Sequence, residues 1–181
     1  MLTIVVPASE TYNELTNEFS YTKETTIRLE HSLVSISKWE AKWKVPFLEK
    51  KKKTREQTCD YVKFMTISQN VPEEVYRCLT SENYKEIGEY IEDSMTATWF
   101  TDLSNKTGNR DIVTSERIYF WMIAYNIPFE CQKWHLNRLL TLIKICSIEN
   151  SRDSNKMSKT AIMRQNASLN KARRSKYKTK G

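Results

Sequence analysis

The sharpest constraint in this sequence is a proline set between two apolar helical stripes. In the first stripe, Ile118, Trp121, Met122 and Tyr125 fall at i, i+3, i+4 and i+7, which is one face of a helix. In the second, Leu136, Leu139, Leu140 and Ile143 repeat that spacing. Pro128 has no amide hydrogen to give a helix, and it disfavours helical backbone at Ile127. The break therefore belongs at Asn126-Ile127-Pro128. Two apolar helices with so short a connection are expected to fold back as an αα-hairpin, burying Trp121 and Leu139 where they meet. Thr114 suits the N-cap of the first helix, because its hydroxyl can accept an orphan amide of the opening turn.

Around this segment, the chain of 181 residues holds only three Gly and four Pro, too few for an all-β protein with its many turns. Cys59, Cys78, Cys131 and Cys146 are scattered with no C-x-x-C pair, which points to reduced thiols in a cytosolic setting. The opening M-L-T-I-V-V-P is too short an apolar run for a secretion signal. No run approaches the ~18–20 apolar residues of a membrane span. A soluble, intracellular protein with no membrane partner is expected. Charge divides the chain. Residues 151–181 carry ten Lys/Arg against one acid, whereas residues 1–150 carry nineteen against twenty-one. A nearly neutral, mainly helical body over 1–150 thus precedes a basic hinge and tail over 151–181.

Taken in order, Leu2–Val6 is β-branched and reads as a strand ended by Pro7. Ala8–Thr22 reads as a polar, turn-rich loop, and the alternation in Thr25–Glu30 suits a second strand pairing with the first. From Ser32 the period becomes helical, with Leu33, Ile36, Trp39 and Trp43 on one stripe that Pro46 stops. Glu49–Arg55 is nearly all charged and reads as a solvated loop. Thr54-Arg55-Glu56-Gln57 matches a capping box, opening a helix to about Thr66 whose core face holds Tyr61, Phe64 and Met65. Val71-Pro72-Glu73-Glu74 is a further helix start with proline at the first helical position. Ser81–Asp93 aligns Tyr84, Ile87 and Ile91. Met95–Thr101 has β character and is expected as an edge strand, followed by loop chemistry at Asp102–Arg110. Ser151–Lys156 reads as a hinge. A last helical pattern opens at Met157, and the closing Arg173–Gly181 is too charged to order alone. The fold class is a mainly helical α+β arrangement with a small N-terminal β element.

Packing accounts for most of the chemistry-bearing residues. Cys131 and His135 lie at i, i+4, but zinc needs three or four ligands and His31 is the only other histidine. A packed cysteine and a histidine at a helix surface or interface account for the pair. A Cys–His nucleophile at that spacing lacks any oxyanion turn. No phosphate-binding, dinucleotide-binding, nucleophile-elbow or zinc-protease motif occurs. No catalytic residue, metal or cofactor is implied, and a non-enzyme is expected. Trp39, Trp43, Trp99, Trp121 and Trp134 lie among aliphatic residues and suit core or interface packing rather than base stacking. Phe129, Trp134 and His135 follow the proline break, where a helix start stays accessible, and form the candidate partner surface. Lys171, Arg173, Arg174, Lys176, Lys178 and Lys180 make a basic tail. Such a tail fits nucleic acid through counterion release, an acidic protein surface, or simple solvation.

Four segments carry a family resemblance. They are L-E-H-S-L-V-S-I-S-K-W-E-A-K-W (Leu29–Trp43), M-T-A-T-W-F (Met95–Phe100), P-F-E-C-Q-K-W-H-L-N-R-L-L-T-L-I-K-I-C-S-I (Pro128–Ile148) and the closing K-M-S-K-T-A-I-M-R-Q-N-A-S-L-N-K-A-R-R. In these the chain resembles a family of small proteins encoded among the tail genes of bacteriophages and prophages, many labelled tail assembly chaperones. The resemblance implies a non-catalytic protein of tail morphogenesis, working in the bacterial host cytoplasm and holding the helical tape-measure protein before the tube forms around it. The alternatives are a structural neck or tail-completion component retained in the virion, and a nonspecific nucleic-acid-binding protein using the basic tail.

Overall fold

The computed structural model describes residues 1–13, 17–100, 112–154 and 159–177. Among these the fold is mainly helical α+β, as the periodicities predict. Strands β1 (Leu2–Val6), β2 (Ser9–Asn13), β3 (Glu18–Thr22) and β4 (Thr25–Leu29) come first. They are followed by helices α1 (Leu33–Trp43), α2 (Arg55–Met65), α3 (Glu73–Arg77), α4 (Ser81–Glu92) and α5 (Ser115–Ala124). A 3-10 turn (Phe129–Lys133) leads into α6 (Leu136–Ser154), and α7 (Lys159–Tyr177) is last. The chain divides into two compact units, Met1–Ile143 and Lys144–Gly181.

β1 pairs antiparallel with β4, Ile4 opposite Ile27, as expected. The stretch expected as a loop, Ala8–Thr22, instead contains β2 and β3, paired with Ser9 opposite Thr22. Leu2 opposite Leu29 and Ser9 opposite Thr22 belong to the same register, so the four strands form one long hairpin interrupted once. The interruption contains Pro7, which has no amide to donate to the ladder. The polar composition of β2 and β3 hid them: their aromatics Tyr12, Phe19 and Tyr21 stand exposed, and the small polar Thr22 is the side chain that is buried.

The inner face of the β1–β4 pair buries Ile4, Val6, Ile27 and Leu29. The other edge of β4 is taken by the end of α2. Glu30 N donates to Met65 O at 2.9 Å and Ile67 N to Arg28 O at 2.8 Å. α4 lies along β1, and Asn83 Nδ2 donates to Val5 O at 3.1 Å. The capping box at Thr54 is present, with Gln57 N donating to the Thr54 hydroxyl and Thr54 N to Gln57 Oε1. Ser32 caps α1 in the same reciprocal way through Ser35. Pro72 stands at the N-cap of α3, one place before the expected first helical position.

α1 is the central packing element. Leu33, Ile36 and Trp39 are almost wholly buried, and the Trp39 indole N–H donates to Gln57 O at 2.8 Å. Lys42 pairs with the buried Asp60 carboxylate, joining α1 to α2. Within the charged Glu49–Arg55 run, Lys53 departs from the solvated expectation. Its Nζ donates to Phe47 O at 2.9 Å and sits 4.2 Å from the centre of the Phe47 ring, and burial lowers its pKa.

The two central helices do not form the expected tight hairpin. α5 and the 3-10 turn after it pack on α1. Leu139 is wholly buried, whereas Trp121 is only half-buried. The break itself falls where expected. α5 ends at Ala124, and Asn126 takes a left-handed φ of 53° before Pro128. Five residues then spent in a 3-10 turn redirect the chain, so α6 starts beside β4 rather than on α5: Leu136 N donates to His31 O at 2.7 Å.

Met95–Phe100 forms no strand, and Trp99 is 89% exposed. Thr101 and Asp102–Arg110 lie outside the described residues. The expected hinge at Ser151–Lys156 is helical as far as Ser154, the end of α6. The closing basic run, expected to be unordered, is helical from Arg173 through Tyr177 in α7. Local helix propensity explains this: Ala, Arg and Lys are strong helix formers, and no glycine or proline interrupts residues 159–177. No described helix is long and apolar enough to cross a membrane.

The entry of α5 depends on a side chain from α1. Glu40 is buried, and its carboxylate accepts from Phe47 N at 2.7 Å and from Ser115 N at 2.8 Å. Thr114 is the N-cap of α5 as expected, but its side chain makes no capping bond, because Glu40 does that work from another helix. Hydrogen bonds to a charged partner contribute roughly 1.5–3 kcal/mol each. Glu40→Ala is therefore expected to lower unfolding free energy by about 3–5 kcal/mol, and Glu40→Gln, which keeps one acceptor, by roughly half as much. Urea denaturation of both variants checks this; equal, negligible losses would show that the two amides find other partners.

Candidate docking surface

α5 is apolar on both sides. Inward it places Ile118 and Met122, both fully buried. Outward it places Phe120 and Ile123, one turn apart and 64% and 61% exposed. Glu116, one turn before Phe120, is an exposed polar residue on that same side. The 3-10 turn adds Phe129, half-exposed, whose ring centre lies 6.5 Å from that of Tyr119. Tyr119 holds its position by donating its hydroxyl to Gln132 Oε1 at 2.9 Å, so α5 and the turn present their aromatics as one fixed piece.

Beside this face lies an apolar cleft of about 550 Å³, lined by Leu48, Ile112, Val113, Trp121 and Leu140 with Glu49 and Lys50. Ile112 is more than half-exposed, and the Arg117 guanidinium stands 5.7 Å from the Trp121 ring centre. The half-buried state of Trp121 thus has a reason: it is a wall of the cleft rather than a plug between helices.

The three residues proposed from the sequence as a partner surface separate in space. Phe129 is on the surface. Trp134 is half-buried beneath Arg138, whose guanidinium lies 4.4 Å from its ring centre. His135 is only 5% exposed and faces the interior, which removes it from any accessible surface. The proline break does expose a chain start, but beyond the 3-10 turn the chain enters the core, so Phe129 stands half-exposed while His135 is buried. Phe120 and Ile123 were missed. Their signal was present in the sequence: assigning Ile118, Trp121 and Met122 to the core leaves two large apolar residues on the remaining face.

His135 belongs to a buried polar cluster. Its Nε2 lies 2.9 Å from Tyr90 O, and since a carbonyl only accepts, that nitrogen carries the proton. Nδ1 then accepts from Asn137 N at 3.3 Å, capping α6. The His31 ring centre lies 5.0 Å from that of His135, and His31 Nδ1 is 2.5 Å from the Tyr61 hydroxyl. Burial, and secondarily the neighbouring His135, holds the His31 pKa down at about 3. Burial also lowers His135, against the pull of Tyr90 O, Glu30 and Asp93. Tyr61 and Tyr90 are raised by burial and stay protonated phenols; the Tyr90 hydroxyl donates to Glu30 Oε1 at 2.6 Å. Two neutral imidazoles locked in this way stitch β4, α2, α4 and α6 together. No group of three His, Cys, Asp or Glu side chains suited to a metal occurs among the described residues, and Cys131 is simply buried.

Of the basic tail residues, Lys171, Arg173, Arg174 and Lys176 are exposed on α7, while Lys178 and Lys180 lie outside the described residues. Compared with known proteins, the chain matches no protein-family model, no curated protein and no solved structure.

The histidine pair gives stability a pH dependence of defined sign. Both groups stay neutral in the fold below the pH at which they charge in the unfolded chain. Stability is therefore complete above about pH 6.5 and falls as pH drops toward about 3, where His31 itself protonates. The slope from His31 alone approaches roughly 1.4 kcal/mol per pH unit. Urea midpoints between about pH 7 and pH 5, above the carboxylate range, are expected to fall for the wild-type chain and to fall less for His31→Gln. Superimposable profiles would remove His31 from the titration.

Proposed function

We propose that this chain is a non-catalytic bacteriophage tail-morphogenesis protein, a tail assembly chaperone that holds the tape-measure protein before the tube polymerises around it. The observation that carries the reading is the outer face of α5: Phe120 and Ile123 stand in solvent on a helix whose other face is core. A holdase for a long helical partner needs an accessible apolar helix on a rigid support, and large exposed apolar residues grouped together mark partner sites. Phe129 and the cleft bounded by Trp121, Ile112 and Leu140 extend that surface. The resemblance of the Leu29–Trp43, Met95–Phe100 and Pro128–Ile148 segments to phage tail-gene proteins is what favours the tape-measure protein as the partner in this reading. The partner would lay an apolar helical stripe against Phe120 and Ile123 and insert side chains beside Trp121.

The test is co-expression with the tape-measure protein of the same tail-gene cluster, followed by pull-down. Removing a central aromatic anchor costs about 2 kcal/mol or more, so Phe120→Asp with Ile123→Asp should reduce recovery of the partner at least about 30-fold. Because both side chains already face water, the thermal midpoint should stay nearly unchanged. Full recovery of the partner by the double variant would remove α5 from the interface. Finding the protein in purified particles, in stoichiometric amount, would replace the chaperone reading with that of a neck or tail-completion component.

A further inference from the structure

α7 carries six cations, Lys159, Arg164, Lys171, Arg173, Arg174 and Lys176, and not one carboxylate over its nineteen residues. A solvated surface helix ordinarily offsets its own charges with acidic residues three or four positions away. Here the cations repel one another unless an external polyanion neutralises them. We infer that α7 is a double-stranded DNA-binding helix that enters the major groove, an activity independent of the docking face on α5.

The distribution of side chains around the helix selects this partner. At about 100° per residue, Asn166, Asn170, Arg173 and Arg174 fall at i, i+4, i+7 and i+8 and share one face. All four are exposed. Asn and Arg are the side chains whose paired donors and acceptors match the edges of adenine and guanine in the major groove. Arg164 and Lys171 share a face away from that stripe, and Lys176 lies on the remaining flank. Cations on both sides of an Asn–Arg stripe suit a groove with a row of phosphates along each wall. At about 12 Å the major groove of B-form DNA admits one helix. Nineteen residues make a helix roughly 28 Å long, enough to lie along the groove.

The same distribution disfavours other polyanions. A membrane-surface helix needs an apolar face opposite its charges. In α7 the exposed Met163 and Leu169 point in different directions, and basic residues intervene on every side. A flat acidic protein surface would engage one side and leave the rest of the charge unneutralised. Duplex RNA has a major groove too narrow for side chains to read.

The experiment measures binding of the full chain to a fluorescent DNA duplex of roughly 20 base pairs by anisotropy across a salt series. Each phosphate neutralised contributes about −0.9 to the slope of log K against log salt, so α7 should give a slope of about −3 to −5. The Arg164→Gln, Lys171→Gln, Lys176→Gln triple variant, which removes the flanking cations, should shrink that slope by about 2 to 3 and weaken binding at least tenfold at ~0.1 M salt. Its midpoint for unfolding of residues 1–143 should match wild type, and its recovery of the tape-measure partner should be unchanged. Absence of binding at ~50 mM salt, or an unaltered slope in the triple variant, would overturn the proposal. So would equal affinity for a duplex RNA, or for polyglutamate of the same charge, each of which would mean that charge alone is being sensed.

Discussion

The fold turns on a carboxylate buried where three segments meet. Glu40 projects from α1 and accepts the amides of Phe47 and Ser115, one from the loop that leaves α1 and one from the start of α5. A buried carboxylate is costly unless its lone pairs are used, and an unpaired buried amide is costly as well. Each cost is offset only if all three segments hold this arrangement together. The turn after Trp43, the entry of α5 and the position of α1 are thus fixed as one unit. Since α5 is held at its N-terminus by a group from α1, its inward face packs on α1, and its outward face is left for something else.

A second buried polar cluster does the equivalent work at the other end. His135 caps α6 with one ring nitrogen and binds Tyr90 O with the other, while the chain on either side of it bonds to the end of β4. The neutral state of both histidines follows from burial, which on His135 outweighs the opposing pull of Tyr90 O, Glu30 and Asp93. A side chain that reads in sequence as an accessible imidazole behind a proline break is, in space, a pin through the core. The consequence for the proposed docking surface is direct: His135 leaves it, and its exposed apolar residues are those of α5 and the 3-10 turn.

Much of the architecture was legible because it rests on local chemistry. The capping box at Thr54, the helical stripe from Leu33, the β1–β4 pairing and the break before Pro128 each follow from a few neighbouring residues. The failures share a cause as well. β2 and β3 were unreadable because their composition is polar and their aromatics Tyr12, Phe19 and Tyr21 face solvent; they continue a register set by β1 and β4. Met95–Phe100 has β-forming residues but pairs with no described strand. Trp121 and Leu139 carry similar signals in the sequence, yet only Leu139 is core, because the 3-10 turn places α6 away from α5.

By itself the sequence determined the elements that close within a few residues: which stretches become helix, where proline and the capping side chains stop and start them, and that the charge collects in the last helix. It also determined that Phe120 and Ile123 lie on the opposite side of α5 from Ile118 and Met122, since that is fixed by 3.6 residues per turn. Only the tertiary structure decided which side of α5 is covered and that Glu40, seventy-five residues away, supplies its cap. It likewise decided that His135 faces His31 instead of solvent. The physical reason is the same throughout. Helix and turn geometry are local and act on whatever residues are adjacent, whereas burial and the pairing of buried polar groups depend on partners that the order of the chain does not place side by side.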